Sequence, residues 1–202
     1  MKKSLIVAGI LLASTGALAQ NEFFIGADYV NADPSFTLGL SVNDEAEASG
    51  SLGVSSDSNV NFKIGMITDN THRFTLSTGR LYDKAFVDDD ETINAEFKLT
   101  SIGYDYLFKA DNIQPYLGAF AGIGKLDLGA TDVNFSDSGI VYGVRAGVIF
   151  NITKNVGLEV GAAYAKTDVK PEVSMHDGAD SVNIWLEVDD VSSYYIGLNY
   201  KF

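Results

Sequence analysis

The 202-residue chain has no cysteine, only three prolines, two histidines and one tryptophan. Without cysteine there are no disulfides, so stability must come from backbone hydrogen bonds and packing alone. A cysteine-linked lipid anchor is excluded for the same reason. Basic residues are scarce, 14 Lys and Arg against 27 Asp and Glu, for a formal charge of -13. That balance excludes nucleic acid as a partner, because phosphates demand cations. Beyond the N-terminus no apolar run is long enough to cross a bilayer as a helix, which takes about 20 residues. Yet mean hydropathy is +0.07 with 20% charged residues. Glycine (20) and aromatics (11%) are plentiful. Apolar character of this kind is spread thinly along the chain, as in membrane strands.

The N-terminus itself is organised differently. Lys2 and Lys3 precede an apolar stretch from Leu5 to Leu12, and Ala17-Leu18-Ala19 offers a small-x-small cleavage site. This pattern predicts a secretory signal peptide over residues 1–19 and a single mature domain over 20–202.

The C-terminal segment YYIGLNYKF alternates strictly. Tyr194, Ile196, Leu198, Tyr200 and Phe202 share one face; Tyr195, Gly197, Asn199 and Lys201 share the other. Alternation of this kind marks a β-strand. The same pattern recurs upstream. Phe23, Ile25, Ala27 and Tyr29 oppose Gly26 and Asp28, and Val60, Phe62, Ile64 and Met66 oppose Asn61, Lys63 and Gly65. Phe74 and Leu76 oppose Arg73 and Thr75, and Ile102, Tyr104 and Tyr106 oppose Ser101, Gly103 and Asp105. Leu117 to Ile123, Tyr142 to Phe150 and Leu158 to Tyr164 complete the set. In one strand Ala95, Phe97 and Leu99 have the parity opposite to Ile102, so either a bulge lies near Thr100 or those residues point inward.

Eight segments result, and their connections alternate short and long. Short ones lie at Asp69–His72, Lys109–Ile113 and Asn151–Asn155; long ones cover about 32–58, 83–93, 129–138 and 168–190. The pattern predicts an all-β, eight-stranded antiparallel up-and-down transmembrane β-barrel with tight periplasmic turns and long external loops. Within the long loops, FTLGLSV (Phe36–Val42), SLGVS (Ser51–Ser55) and NIWLEV (Asn183–Val188) could extend the strands above the membrane or form mobile acidic loops.

A barrel of eight strands is narrow enough for side chains to fill it. The charges predicted to face inward are Asp28, Asp105 and Glu159 against Lys63, Arg145 and Lys201. Three acids balance three bases, as burial requires. Arg145–Glu159, on adjacent strands, is the favoured pair, and Arg73 is placed near a periplasmic turn. The acidic excess falls to the external loops, among them Asp44, Glu45, Glu47, Asp88–Glu91, Asp132, Asp137, Glu172, Asp177, Asp180, Glu187, Asp189 and Asp190. These loops lack the ligand spacing of a calcium loop. His72 and His176 are predicted at opposite ends of the barrel, which excludes a two-histidine metal site. No nucleophile, base and acid share a strand pattern. Catalytic, cofactor and metal residues are therefore expected to be none.

On these features the chain resembles the small eight-stranded outer membrane proteins of Gram-negative bacteria, the OmpA-like transmembrane domain and the OmpX, Ail and opacity group. The likeness covers essentially the whole mature chain. It implies residence in the outer membrane among its lipids and lipopolysaccharide. It also makes Ile196, Leu198, Tyr200 and Phe202 look like the signal such proteins present to the outer membrane assembly machinery. The expected function is non-enzymatic, structural in the envelope or adhesive through contact of the acidic loops with a host or surface ligand. A narrow pore for small solutes is the alternative. A lipid A-modifying enzyme ranks last, since no strand-borne histidine lies in the upper half.

Overall fold

The computed structural model describes residues 21–42, 46–52, 57–88, 91–108, 112–130, 133–170, 172–177 and 180–202. The predicted signal peptide and the acidic residues Asp44, Glu45, Asp89, Asp90 and Asp132 lie outside them. Ten strands account for nearly everything described. They are β1 (Asn21–Val42), β2 (Ala46–Leu52), β3 (Asp57–Thr68), β4 (His72–Asp88) and β5 (Glu91–Leu107). The remainder are β6 (Ile113–Ala130), β7 (Val133–Asn151), β8 (Val156–Thr167), β9 (Glu172–Asp177) and β10 (Asp180–Lys201).

All pairings in the sheet are antiparallel, and β1 closes on β10. The order β2-β1-β3-β4-β5-β6-β7-β8-β10-β9 contains eight barrel staves. β2 and β3 form one descending stave, since both pair with β1, at Phe36–Val42 and Asn21–Ala32 respectively. β8 and β9 relate to β10 in the same way. Closure leaves no unpaired edge in the hydrocarbon, which is what a bilayer demands of a sheet.

The outer wall is apolar as the alternation requires. Ile25, Tyr29, Phe62, Ile64, Leu117, Ile123, Val144, Val160, Ile196 and Leu198 are all exposed, while the residues between them face the lumen. One short turn shows how the chain reverses: Thr68 accepts from the Thr71 N–H at 3.1 Å, with positive φ at Asp69 (54°) and Asn70 (55°). Positive φ at both central positions is the tight hairpin geometry that matches strand twist, and Asp and Asn tolerate it best after glycine.

At the outer end one expectation changes and one open alternative is decided. Of the connections expected over 83–93 and 129–138, the described residues 83–88, 91–93, 129–130 and 133–138 are strand. β4 and β5 stay paired up to Asp88–Glu91, and β6 and β7 up to Ala130–Val133. Within the longest connections Phe36–Val42 and Asn183–Val188 are strand and pair with each other, flanked by β2 and β9. A four-stranded extension, β2-β1-β10-β9, therefore rises from one side of the barrel. Asp137, Glu172, Asp177, Asp180, Glu187, Asp189 and Asp190 belong to strands. Asp189 and Asp190 accept hydrogen bonds from the hydroxyls of Thr37 (2.7 Å) and Ser35 (3.1 Å), beside the bulge at Ser35/Phe36. Strand formation wins there because alternating apolar residues continue past the membrane level.

The parity question in β5 is also answered. Phe97 is 1% exposed and Leu99 is buried, while Ile102 is 66% exposed. β5 pairs with β6 without a break, so Phe97 and Leu99 point inward. The bulge lies instead on β4, between Arg80 and Tyr82.

Candidate functional site in the lumen

The interior has three layers. At the periplasmic end Phe24, Ile67, Leu107, Tyr116 and Ile149 pack together. Toward the outside a larger apolar cluster includes Val30, Phe36, Tyr82, Phe97, Leu126, Val141 and Val188. Between them lies a layer of six charges. The lumen is more apolar than the strand-by-strand reading implies, because inward residues of the upper staves are mostly aliphatic or aromatic.

In the charged layer Lys63 Nζ contacts Asp28 Oδ1 at 2.6 Å and Glu159 Oε2 at 2.8 Å. Arg73 donates from Nη1 and Nη2 to the two oxygens of Glu159 at 2.9 and 3.0 Å, and from Nε to Asp105 at 2.7 Å. Arg145 holds Asp105 in a two-pronged contact, Nε–Oδ1 2.6 Å and Nη2–Oδ2 2.8 Å. Asn199 Nδ2 adds a fourth donor to Glu159 at 2.8 Å. Three cations thus balance three carboxylates, and each charge is met by opposite charge and hydrogen bonds. That combination is the condition for keeping ions out of water.

The membership differs from the sequence reading in three ways. Arg145 does not pair with Glu159. Glu159 lies opposite Ile149, four residues along β7 from Arg145, and faces Lys63 and Arg73 instead. Lys201 is outside the layer; it sits at the periplasmic mouth, 3.3 Å from Glu22. Arg73, expected near the turn, takes its place. It is 2% exposed and also lies over the Tyr116 ring at 4.4 Å. Its inward parity beside Thr75 was a sufficient signal; distance from the turn in sequence was the wrong measure, because a long guanidinium side chain reaches well into a narrow barrel.

Glycine explains how charges meet across strands that are not neighbours. In register, Asp105, Gly118 and Arg145 occupy one row, so the carboxylate meets the guanidinium over the intervening glycine, and Lys63 lies over Gly26, its neighbour in register on β1, on the way to Glu159. A Cβ at Gly118 would overlap Asp105 Oδ1, and one at Gly197 would overlap Asp28 Oδ1. The missing side chain on the middle strand is the channel through which each carboxylate lies flat. Above the layer sits a cavity of about 80 Å³, lined by Asn61, Thr75, Ser77, Ser101, Phe120 and Tyr195 among others. It is roomy enough for several waters and too small for a large solute. Tyr195 bonds Tyr116 hydroxyl to hydroxyl at 2.6 Å, tying the layer to the lower plug.

The C-terminal residues Ile196, Leu198, Tyr200 and Phe202 all face outward and are exposed. The Phe202 N–H bonds the Phe23 carbonyl at 2.9 Å, seating the last residue against the first strand. His72 starts β4, its Nδ1 2.8 Å from the Tyr104 hydroxyl, in an outward aromatic group with Tyr106. His176, expected in an external loop, is instead on β9 in the outer extension, so a strand-borne histidine does lie in the upper half; it and His72 are at opposite ends of the barrel. Among the described residues no group of three or more acidic or histidine side chains could hold a metal ion.

A closed eight-stranded antiparallel barrel with an apolar outer wall and a filled, charge-balanced interior defines a membrane-spanning barrel protein. The chain belongs to the outer membrane protein beta-barrel domain family, whose model matches residues 5–202. Outer membrane localisation follows from that membership. No curated protein matches the sequence. Among solved structures, OprG from Pseudomonas aeruginosa superposes with a TM-score of 0.65 at 16% identity, covering 91% of this chain and 96% of its own. Neisserial surface protein A gives 0.56 at 21% identity, covering 89% of this chain and 97% of its own. OprH of P. aeruginosa gives 0.54 at 20% identity, covering 91% and 100%. At such identities the likeness is one of fold.

Proposed function

We propose that this protein is a non-enzymatic outer membrane barrel with a closed lumen, acting in the envelope or in surface contact through its external hairpins. The observation that supports this reading is the length of its closing strands. β1 and β10 each have 22 residues and stay paired out to Val42 and Val182. Crossing the membrane takes about 9–11 residues per tilted strand. The surplus builds an ordered platform above the surface, in which Trp185 lies on Gly39 and Lys170 Nζ stands 4.6 Å over the Trp185 ring. The charged layer and the two apolar clusters supply the closed lumen.

The signal peptide over 1–19 and contact of the Ile196, Leu198, Tyr200 and Phe202 face with the assembly machinery belong to the same proposal. A ligand at the platform is a host or surface component. The test compares cells carrying the full chain with cells carrying a barrel trimmed at the tops of the β1–β2 and β9–β10 hairpins. Loss of attachment to a host-cell or matrix surface, with envelope integrity kept, supports the contact role. Loss of integrity alone supports the structural one. Large, long-lived openings from the purified protein in planar bilayers would establish the pore instead.

A further inference from the structure

Basic residues are few in this chain, yet three of them share one outward-facing row. Arg80 on β4 stands opposite Lys98 on β5, and Lys98 stands opposite Lys125 on β6. Their side chains are about half exposed, whereas Leu81, Leu99 and Leu126 beside them in sequence are buried in the lumen. Like charges set directly across neighbouring strands repel, so the row needs negative charge near it.

The protein places negative charge on the outer side of the row. Glu96 pairs with Arg80 and with Lys98 (2.5 Å), and Asp127 pairs with Lys125 (2.5 Å) and more loosely with Lys98 (3.9 Å). Both acids stand one outward step farther from the membrane than the cations. On the membrane side come the hydroxyls of Thr78 and Thr100, bonded to each other at 2.9 Å. Below them the hydrocarbon wall begins with Ile102; on β6, Ile123 adjoins Lys125 directly. One outward step along a strand is about 7 Å. The cations therefore stand where the wall passes from hydrocarbon to headgroups. The far wall differs: its outward residues past Tyr29 and Tyr194 are Asn31, Asp33 and Ser35 on β1, and Ser192 and Asp190 on β10, with Lys166 of β8 set opposite Asp190 rather than opposite another cation. The basic row is confined to one side.

We propose that Arg80, Lys98 and Lys125 form a docking site for the phosphate groups of an anionic outer-leaflet glycolipid, with its acyl chains lying along Ile102, Leu117 and Ile123. Guanidinium and ammonium groups at the hydrocarbon boundary meet phosphate before the carboxylates above them do. Three adjacent strands set them in a row about 10 Å long, enough to engage more than one phosphate oxygen cluster. The inference goes beyond the hairpin platform, since it concerns the opposite wall and needs only that the barrel stands in an outer membrane.

The test uses the refolded full-length mature chain in a non-ionic detergent, with native mass spectrometry counting bound lipid. Bis-phosphorylated lipid A is compared with its dephosphorylated form and with inorganic phosphate as competitor. The parent is expected to hold the phosphorylated lipid about tenfold more tightly, a difference of about 1.4 kcal/mol. Preference should be lost in the triple variant R80Q/K98Q/K125Q and kept in K154Q, a change in an exposed periplasmic turn. If the triple variant does not fold, K98Q should lower the preference and K98R should restore it. Equal retention of both lipids by the parent, or an unchanged preference in the folded variants, overturns the proposal. So does full displacement by millimolar inorganic phosphate, which would mark an anion site with no lipid specificity.

Discussion

Replacing Glu159 with Gln tests the charged layer most directly. Glu159 is 2% exposed and accepts four hydrogen bonds, from Lys63, Asn199 and both terminal nitrogens of Arg73. A glutamine of the same shape turns an N–H donor toward these donors and leaves three cations facing two carboxylates. Removing one partner of a buried ion pair costs about 3–5 kcal/mol, because the remaining charge stays buried without compensation. The single variant R73M should cost a similar amount by leaving the acids in excess. The double variant R73M/E159Q leaves two intact pairs, Lys63–Asp28 and Arg145–Asp105. It should be no less stable than either single variant, giving a coupling of several kcal/mol where independent sites add within about 0.5 kcal/mol. Urea unfolding of protein refolded into lipid vesicles, followed by circular dichroism, measures each value. An E159Q loss under 1 kcal/mol, or additive losses in the double variant, would refute the view that this layer is one coupled unit.

Three further outcomes are expected. G118A should cost about 1–3 kcal/mol, since its methyl overlaps Asp105 Oδ1 and the Tyr104 carbonyl; G50A, with open space around it, serves as the neutral control in the same unfolding assay. F97A should cost about 3–5 kcal/mol by emptying the upper plug, while I102A on the outer wall should cost far less; equal losses would contradict the inward parity of Phe97. Deleting Phe202 should reduce the amount of folded barrel recovered from cell outer membranes several-fold, yet leave refolding of the purified chain into vesicles largely intact, as judged by heat-dependent gel mobility.

The fold could be read from the chain because a membrane barrel repeats one constraint in every strand. Apolar residues at alternate positions must meet lipid, so Tyr194 to Phe202 and seven similar segments carry the pattern openly. The outer hairpins were harder to read. FTLGLSV and NIWLEV had strand character, but residues 83–93 and 129–138 alternate too weakly to distinguish pairing from loop without the register of their neighbours. The β5 parity had the same difficulty, since Phe97 is as apolar inside the barrel as it would be outside.

Sequence alone determined the inward face of each strand, because side-chain direction follows from alternation within a single segment; its tally of the charged layer counted Lys201 and left out Arg73. Tertiary structure decided which charges meet. Partner choice depends on how far one stave is shifted against the next, and on glycines such as Gly118, over which Asp105 meets Arg145 across a whole strand. Those shifts replaced Arg145–Glu159 by Arg145–Asp105, and set Arg73 rather than Lys201 at the centre. The stagger that closes the barrel is a property of all the staves together, so no one strand carries it.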